Sequence, residues 1–247
     1  MLAFGLFHDF LIVLSRWGHV LAGITWIGLL YFFNFVQVPA YAEFEASSRT
    51  DAIRKLTTRA LWWFRWGAAL TLATGLLIFI FQEDYKHNYT RTVPWISIFT
   101  GMLFAIIMFL NVWLVIWPNQ KILIANAEGL AAGREADPNA APAGRKALLA
   151  SRTNTLLSIP MLFFMVATSH FVGTEHFKLE PSAGLRVGWY IIVLVVAAAI
   201  ELNALGFVGG TGPGPTKQPL EKHRDTIVAG FVVWGILFVL LLLMFKS

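Results

Sequence analysis

Six runs of mainly apolar residues, near 10–37, 60–81, 95–117, 154–174, 187–208 and 226–245, alternate with shorter polar stretches along the chain. Each is long enough to cross a hydrocarbon core of about 30 Å, which takes roughly 20 helical residues. A lipid-exposed segment must satisfy its own backbone polar groups, so the pattern predicts an all-α, polytopic membrane helix bundle in one integral domain, 1–247. The longest connection, 118–153, reads as a short helix around KILIANAEGLAAG, a flexible ADPNAAPAG hinge, and a basic helix RKALLASRTN that leads into the fourth span. The stretch GGTGPGPTKQP at 209–219 reads as a Gly/Pro-rich cytoplasmic connector. There is no GxGxxG, no P-loop and no internal repeat, so nucleotide chemistry has no support.

Composition sharpens this picture. The 247 residues are 57% hydrophobic and 13% charged, with a mean hydropathy of +0.66, far from the roughly 25% charged residues of soluble domains. Cysteine is absent, which excludes disulfides, thiolate metal sites and a CxxCH haem attachment site. Any redox cofactor must therefore be held without a covalent bond. The N-terminal MLAFGLFHDF lacks the basic region and cleavage site of a signal peptide, so the first apolar run is expected to stay in the mature chain.

The net charge of +5 follows membrane topology rather than a nucleic-acid partner. Arg49, Arg54, Lys55, Arg59, Lys121, Arg134, Arg145, Lys146, Arg152, Lys217, Lys222 and Arg224 fall on one side of the spans. Only Lys86, Arg91, Lys178, Arg186 and Lys246 fall on the other. Basic loops stay cytoplasmic, so both termini are expected outside, in the periplasm of a bacterium with two membranes. Trp62, Trp63, Trp66, Trp113 and Trp117 near the inner helix ends, and Trp95 and Trp189 near the outer ones, fit interfacial positions.

Ionisable and amide side chains inside the spans mark two layers, and such residues usually face a bundle interior. The outer layer holds Arg16 and His19 on the first span and His170 on the fourth; the inner layer holds Asn34, Arg65, Asn111 and Glu201. From His19 to Asn34 is fifteen residues, roughly 22 Å along a helix, so the layers are separate sites. In the inner layer Arg65 and Glu201 can neutralise each other while Asn34 and Asn111 satisfy their remaining hydrogen bonds. The functional alternative is a proton or substrate path with Glu201 as carrier, and the sequence leaves both open.

Two imidazoles at similar depth on two helices are what a six-coordinate haem b needs, with His19 and His170 as iron ligands. Arg16, one turn from His19, can pair with a haem propionate. Gly18 and Gly23 remove bulk beside His19, and Trp26, seven residues on, falls on the same face. The plainer alternative is that these histidines only bridge helices by hydrogen bonds. His8, His87 and His176, with Asp9, Glu83, Asp84 and Glu175, are expected as solvated outer-surface groups, and His223 as a cytoplasmic one.

Three stretches carry a resemblance: RWGHVLAGITWIGLLYFF in the first span, WWFRWGAALTLATG in the second, and SRTNTLLSIPMLFFMVATSH leading through the fourth. Together they resemble the N-terminal membrane domain of the bacterial membrane-bound urate oxidase family. The resemblance implies an inner-membrane redox protein that oxidises urate to 5-hydroxyisourate and passes electrons to cytochrome c. In full-length members a c-type cytochrome domain follows the membrane domain. This sequence has no CxxCH, so the resemblance implies a separate cytochrome partner. Two positions depart from the family pattern: Gly67 stands where a glutamate is expected, and Leu29 and Leu30 where small polar residues are. The competing class is a non-catalytic membrane subunit of a larger respiratory or energy-converting complex. A transporter using Arg65 and Glu201 has less support, because repeats and broken helices are missing.

Overall fold

The computed structural model describes residues 2–81, 89–174, 176–177 and 180–246. Its helices, in chain order, are α1 (Leu2–Tyr31), α2 (Val38–Glu43), α3 (Ala46–Ala52), α4 (Thr58–Phe81), α5 (Val93–Leu110), α6 (Trp117–Ala131), α7 (Ala140–His170), α8 (Ala183–Ala204), α9 (Gln218–Glu221) and α10 (His223–Phe245). Three π-helical turns join some of them end to end: π1 (Phe32–Gln37), π2 (Ile53–Thr57) and π3 (Asn111–Ile116). Six continuous helical stretches among the described residues are long and apolar enough to cross a membrane. The chain is a multi-pass membrane protein. Leu14, Val20, Ile24, Leu70, Ile80, Val195 and Leu243 are exposed, a surface suited to lipid.

Two of the π turns have a local cause. Pro39 and Pro118 stand at the starts of α2 and α6, just after π1 and π3. A proline has no N–H to give, and its ring clashes with the carbonyl four residues back, here Phe35 and Leu114. Widening the preceding turn relieves that clash and leaves a bulge in an otherwise continuous helix. At π2 the Thr58 hydroxyl donates to the Ile53 carbonyl, 3.1 Å away, and so closes the widened turn.

The chain divides into two compact units. The first comprises Met1–Ile78 and Phe109–Asn154. Its core packs α1 against α4: Gly67 lets the α1 backbone approach so closely that a Cβ there would lie 3.2 Å from the Trp26 amide nitrogen. Phe33 and Phe64 meet edge-on at 5.3 Å beside buried Leu30 and Leu61. The predicted helices between the third and fourth spans are α6 and the first half of α7, but the hinge differs from the expected ADPNAAPAG: the non-helical stretch is 132–139, and α7 already begins at Ala140, so AAPAG is helical.

The second unit comprises Phe79–Met108 and Thr155–Ser247. Its polar groups close on one another: the Thr168 hydroxyl donates to Ser97 Oγ at 3.0 Å, Ser97 Oγ donates to the Phe164 carbonyl at 3.0 Å, and Trp189 Nε1 donates to Thr100 Oγ1 at 2.9 Å. Trp189 is thus fully buried in a core with Phe104, Phe164 and Phe245, not at an interface as its helix-end position suggested. Pro160 leaves the Leu156 carbonyl without its helical N–H donor. Gly230 brings α10 against that carbonyl, where a Cβ would lie 2.9 Å from its oxygen and 2.5 Å from Ile159 Cδ1. The 209–219 connector is more than a loose link. Gly206, Gly209 and Gly210 take positive φ, and fully buried Lys217 donates to Asn203 Oδ1 and the Val208 carbonyl, both at 2.7 Å.

Candidate functional site

His19 lies on α1 against α4. Its Nδ1 is 2.9 Å from the Thr71 carbonyl oxygen and 3.3 Å from Thr74 Oγ1. A carbonyl can only accept, so in the neutral ring Nδ1 carries the proton and Nε2 offers its lone pair. The close approach depends on Gly75, where a Cβ would come within 3.2 Å of the ring's Cε1. Gly18 faces Thr74 at 3.4 Å, whereas Gly23 faces open space. The sequence reading singled out Gly18 and Gly23 but missed Gly75, Thr71 and Thr74; their signal was the run of small residues in TLATG on the second span.

His170 is the last residue of α7. Its Nδ1 is 3.1 Å from the Val166 carbonyl one turn earlier, which selects the same tautomer as in His19. The exposed ring borders an apolar pocket of about 210 Å³ formed with Phe163, Val166, Ala167, Phe171 and Phe238. Iron-binding histidines usually donate their other ring N–H to a carbonyl or carboxylate, which fixes the ring and raises its basicity. In donor chemistry His19 and His170 both fit haem ligation. Arg16 is exposed on α1, one turn before His19. Trp26 is 2% exposed, packed in the α1–α4 core, and its indole Nε1 has no hydrogen-bond partner among the described residues.

The inner-layer residues of the first unit hold the following contacts. Arg65 stacks its guanidinium 3.4 Å above the Trp117 ring, with Trp113 at 5.5 Å. Aromatic faces stabilise a cation in this way, most of all where water is scarce. Asn34 Nδ2 donates to the Leu30 carbonyl at 2.9 Å and to Ser151 Oγ at 2.8 Å. Asn111 Nδ2 donates to Asn154 Oδ1 at 3.0 Å. Both amides bond to α7. Arg65 belongs to the first unit and Glu201, half-buried on α8, to the second.

The α7 partners belong to a buried polar stripe: Arg152, Thr153, Asn154, Thr155 and Ser158 are each at most 3% exposed. The sequence reading used SRTNTLLSIP for its resemblance and assigned it no site. The stripe's signal was its polarity, which made the segment look like a loop end. Beside Ser151 lies a cavity of about 230 Å³, contained in the first unit and lined on its polar side by Asn34, Gln37, Tyr41, Thr57, Gln120 and Ser151. All three π turns contribute to its wall, through Phe33, Asn34 and Gln37 of π1, Ile53 and Thr57 of π2, and Ile116 of π3. Such turns recur at functional sites, because they re-aim side chains that a regular helix would point elsewhere.

His8 Nδ1 lies 3.9 Å from Asp9 Oδ1 near the start of α1, and His176 is exposed. Glu83, Asp84, Lys86, His87, Glu175 and Lys178 lie outside the described residues. Among the described residues no three His, Asp or Glu side chains cluster as a metal site would need.

No curated protein and no solved structure matches the chain. The model of the urate oxidase N-terminal family matches residues 84–205. That span holds Asn111, the polar stripe of α7, His170 and Glu201, and leaves Arg16, His19, Trp26 and Arg65 before it. Of the three stretches that carried the resemblance, SRTNTLLSIPMLFFMVATSH lies inside the match. From residue 84 to residue 205 this multi-pass helical chain matches the urate oxidase N-terminal domain, the family its sequence resembles.

Proposed function

We propose that this protein is a membrane-bound redox protein of the urate oxidase type, in the inner membrane, with both termini in the periplasm. Its donor is urate or another small reduced molecule, its redox group a haem b, and its acceptor a cytochrome c. The observation that carries this reading is the shared tautomer of His19 and His170. Each ring gives its Nδ1 proton to a backbone carbonyl and leaves Nε2 free, the arrangement a metal-binding imidazole needs. Haem b supplies one-electron chemistry when bound. The chain's part is to hold and orient the two imidazoles, with Arg16 placed to pair with a propionate. The twelve Lys and Arg residues on one side, against five on the other, support the orientation.

The test is a pyridine haemochrome spectrum of the purified chain. A b-type signal that is lost in His19→Ala and in His170→Ala supports the reading, and a haem-free protein overturns it. Consumption of urate by membranes carrying the protein and a suitable cytochrome tests the donor. Bound haem without urate consumption would point to a different reduced donor.

A further inference from the structure

Arg65 and Lys121 share one aromatic ring. The Arg65 guanidinium sits 3.4 Å above the Trp117 centroid, and the Lys121 ammonium, one helical turn beyond Trp117, is 5.8 Å from the same centroid. Neither cation forms an ion pair with a carboxylate among the described residues, and Asp51 is held by Arg54 and Lys55. Arg65 Nε is buried and has no hydrogen-bond partner among them either. Two like charges beside one ring repel each other, and the ring face offsets only part of that cost. The arrangement calls for an anion between them.

The surroundings say which kind of anion. Trp62, Trp63 and Trp66 are exposed on α4, and the Trp66 ring meets Trp113 edge-on at 5.8 Å, so indoles run from α4 across to the ring under Arg65. Exposed indoles gather at the depth of lipid headgroups. Toward the middle of the spans Leu70, Leu110 and Leu114 are exposed, a surface suited to acyl chains. This is also the end of the spans on which most of the Lys and Arg residues fall.

We propose that Arg65 and Lys121 bind the phosphate of an anionic phospholipid, with its acyl chains along Leu70, Leu110 and Leu114. Arg65 offers N–H groups in the planar fork that suits a phosphate, and exposed Lys121 closes on it as a point charge from a flexible stem. A zwitterionic lipid brings its own ammonium group, and the Trp117 face that would take that ammonium is already covered by Arg65. A headgroup of net negative charge is therefore favoured. All of these residues belong to the first unit. None of them is a proposed haem residue, and lipid binding here requires no haem.

The experiment titrates the full chain, stripped of lipid in a neutral detergent, with dioctanoyl phosphatidylglycerol and with dioctanoyl phosphatidylcholine, and counts bound lipid by native mass spectrometry. Phosphatidylglycerol should bind at least about fivefold tighter, the scale of one or two basic contacts at a membrane surface. Arg65→Gln should remove the preference. Lys121→Gln, at an exposed position, should cut it about threefold or more and keeps the test decisive if Arg65→Gln fails to fold. Lys146→Gln, which removes one charge from the exposed surface of α7, should leave it unchanged. Equal affinity for the two lipids, a preference unchanged in Lys121→Gln, or an equal loss in Lys146→Gln overturns the proposal. So does displacement of phosphatidylglycerol by equimolar inorganic phosphate, which would make the ligand a free anion rather than a lipid.

Discussion

The two units meet the same problem, polar groups inside lipid, to different degrees: among the described residues, orphaned side-chain atoms are fewer in the second, where Trp234 Nε1 is one. In the second unit the polar side chains of α5, α7 and α8 close on one another: Thr168 on Ser97, Ser97 on Phe164, Trp189 on Thr100. In the first unit, helices are widened at π1, π2 and π3, a cavity remains, and Asn34 Oδ1 and Trp26 Nε1 are left without partners among the described residues. Closed networks rigidify, whereas orphaned polar groups and bulged helices persist where something other than stability is served. The first unit thus carries the cavity and His19, and the second carries the closed network together with His170.

The largest break in that contrast should come at Gly230. A Cβ there overlaps Ile159 and the Leu156 carbonyl, so Gly230→Leu should destabilise by about 3 kcal/mol or more and lower the melting temperature in detergent more than any cavity substitution. Thr100→Val should come next. It strands the Trp189 indole N–H in the core and should cost about 1–3 kcal/mol, read by thermal unfolding. Removing the ring face under Arg65 in Trp117→Leu should cost about 1–2 kcal/mol, the scale of a desolvated cation–π contact, while Trp117→Phe should recover much of it. Asn34→Leu is expected to be the mildest, within about 1 kcal/mol of the parent in the same assay, because it removes an unsatisfied acceptor along with two hydrogen bonds. If Asn34→Leu proved as damaging as Thr100→Val, the contrast between the units would fail.

Much of the fold was legible because membrane insertion depends on long apolar runs, and those are local in sequence. The spans, the two helices of 118–153 and the buried character of the inner amides followed from pattern, while the hinge was drawn too far into α7. Partners were not legible. Asn34 and Asn111 looked like companions of Arg65 and Glu201 because depth along a helix is readable, while the facing helix is not. Two partners that the structure gives them, Ser151 and Asn154, sit in a polar segment that hydropathy places at a loop end. The π turns escaped for a related reason: Pro39 and Pro118 mark helix starts in most contexts, and only a continuous helix running through them turns each proline into a bulge. His19 was singled out by its chemistry, but Gly75 and the Thr71 carbonyl that orient it belong to a different span.

Gly67 joins sequence and packing at one residue. Where the resemblance implied a glutamate, this chain has a glycine pressed against the α1 backbone at Trp26. A glutamate there would push the two helices apart near His19. Gly67→Glu should therefore lower stability and disturb any spectrum that reports on His19.

The most direct measurement is electron paramagnetic resonance of the oxidised, purified protein. If His19 and His170 hold the proposed haem, the spectrum should show a low-spin signal that is converted or lost in His19→Ala and in His170→Ala. A protein without haem, or a low-spin signal unchanged in both variants, would contradict it.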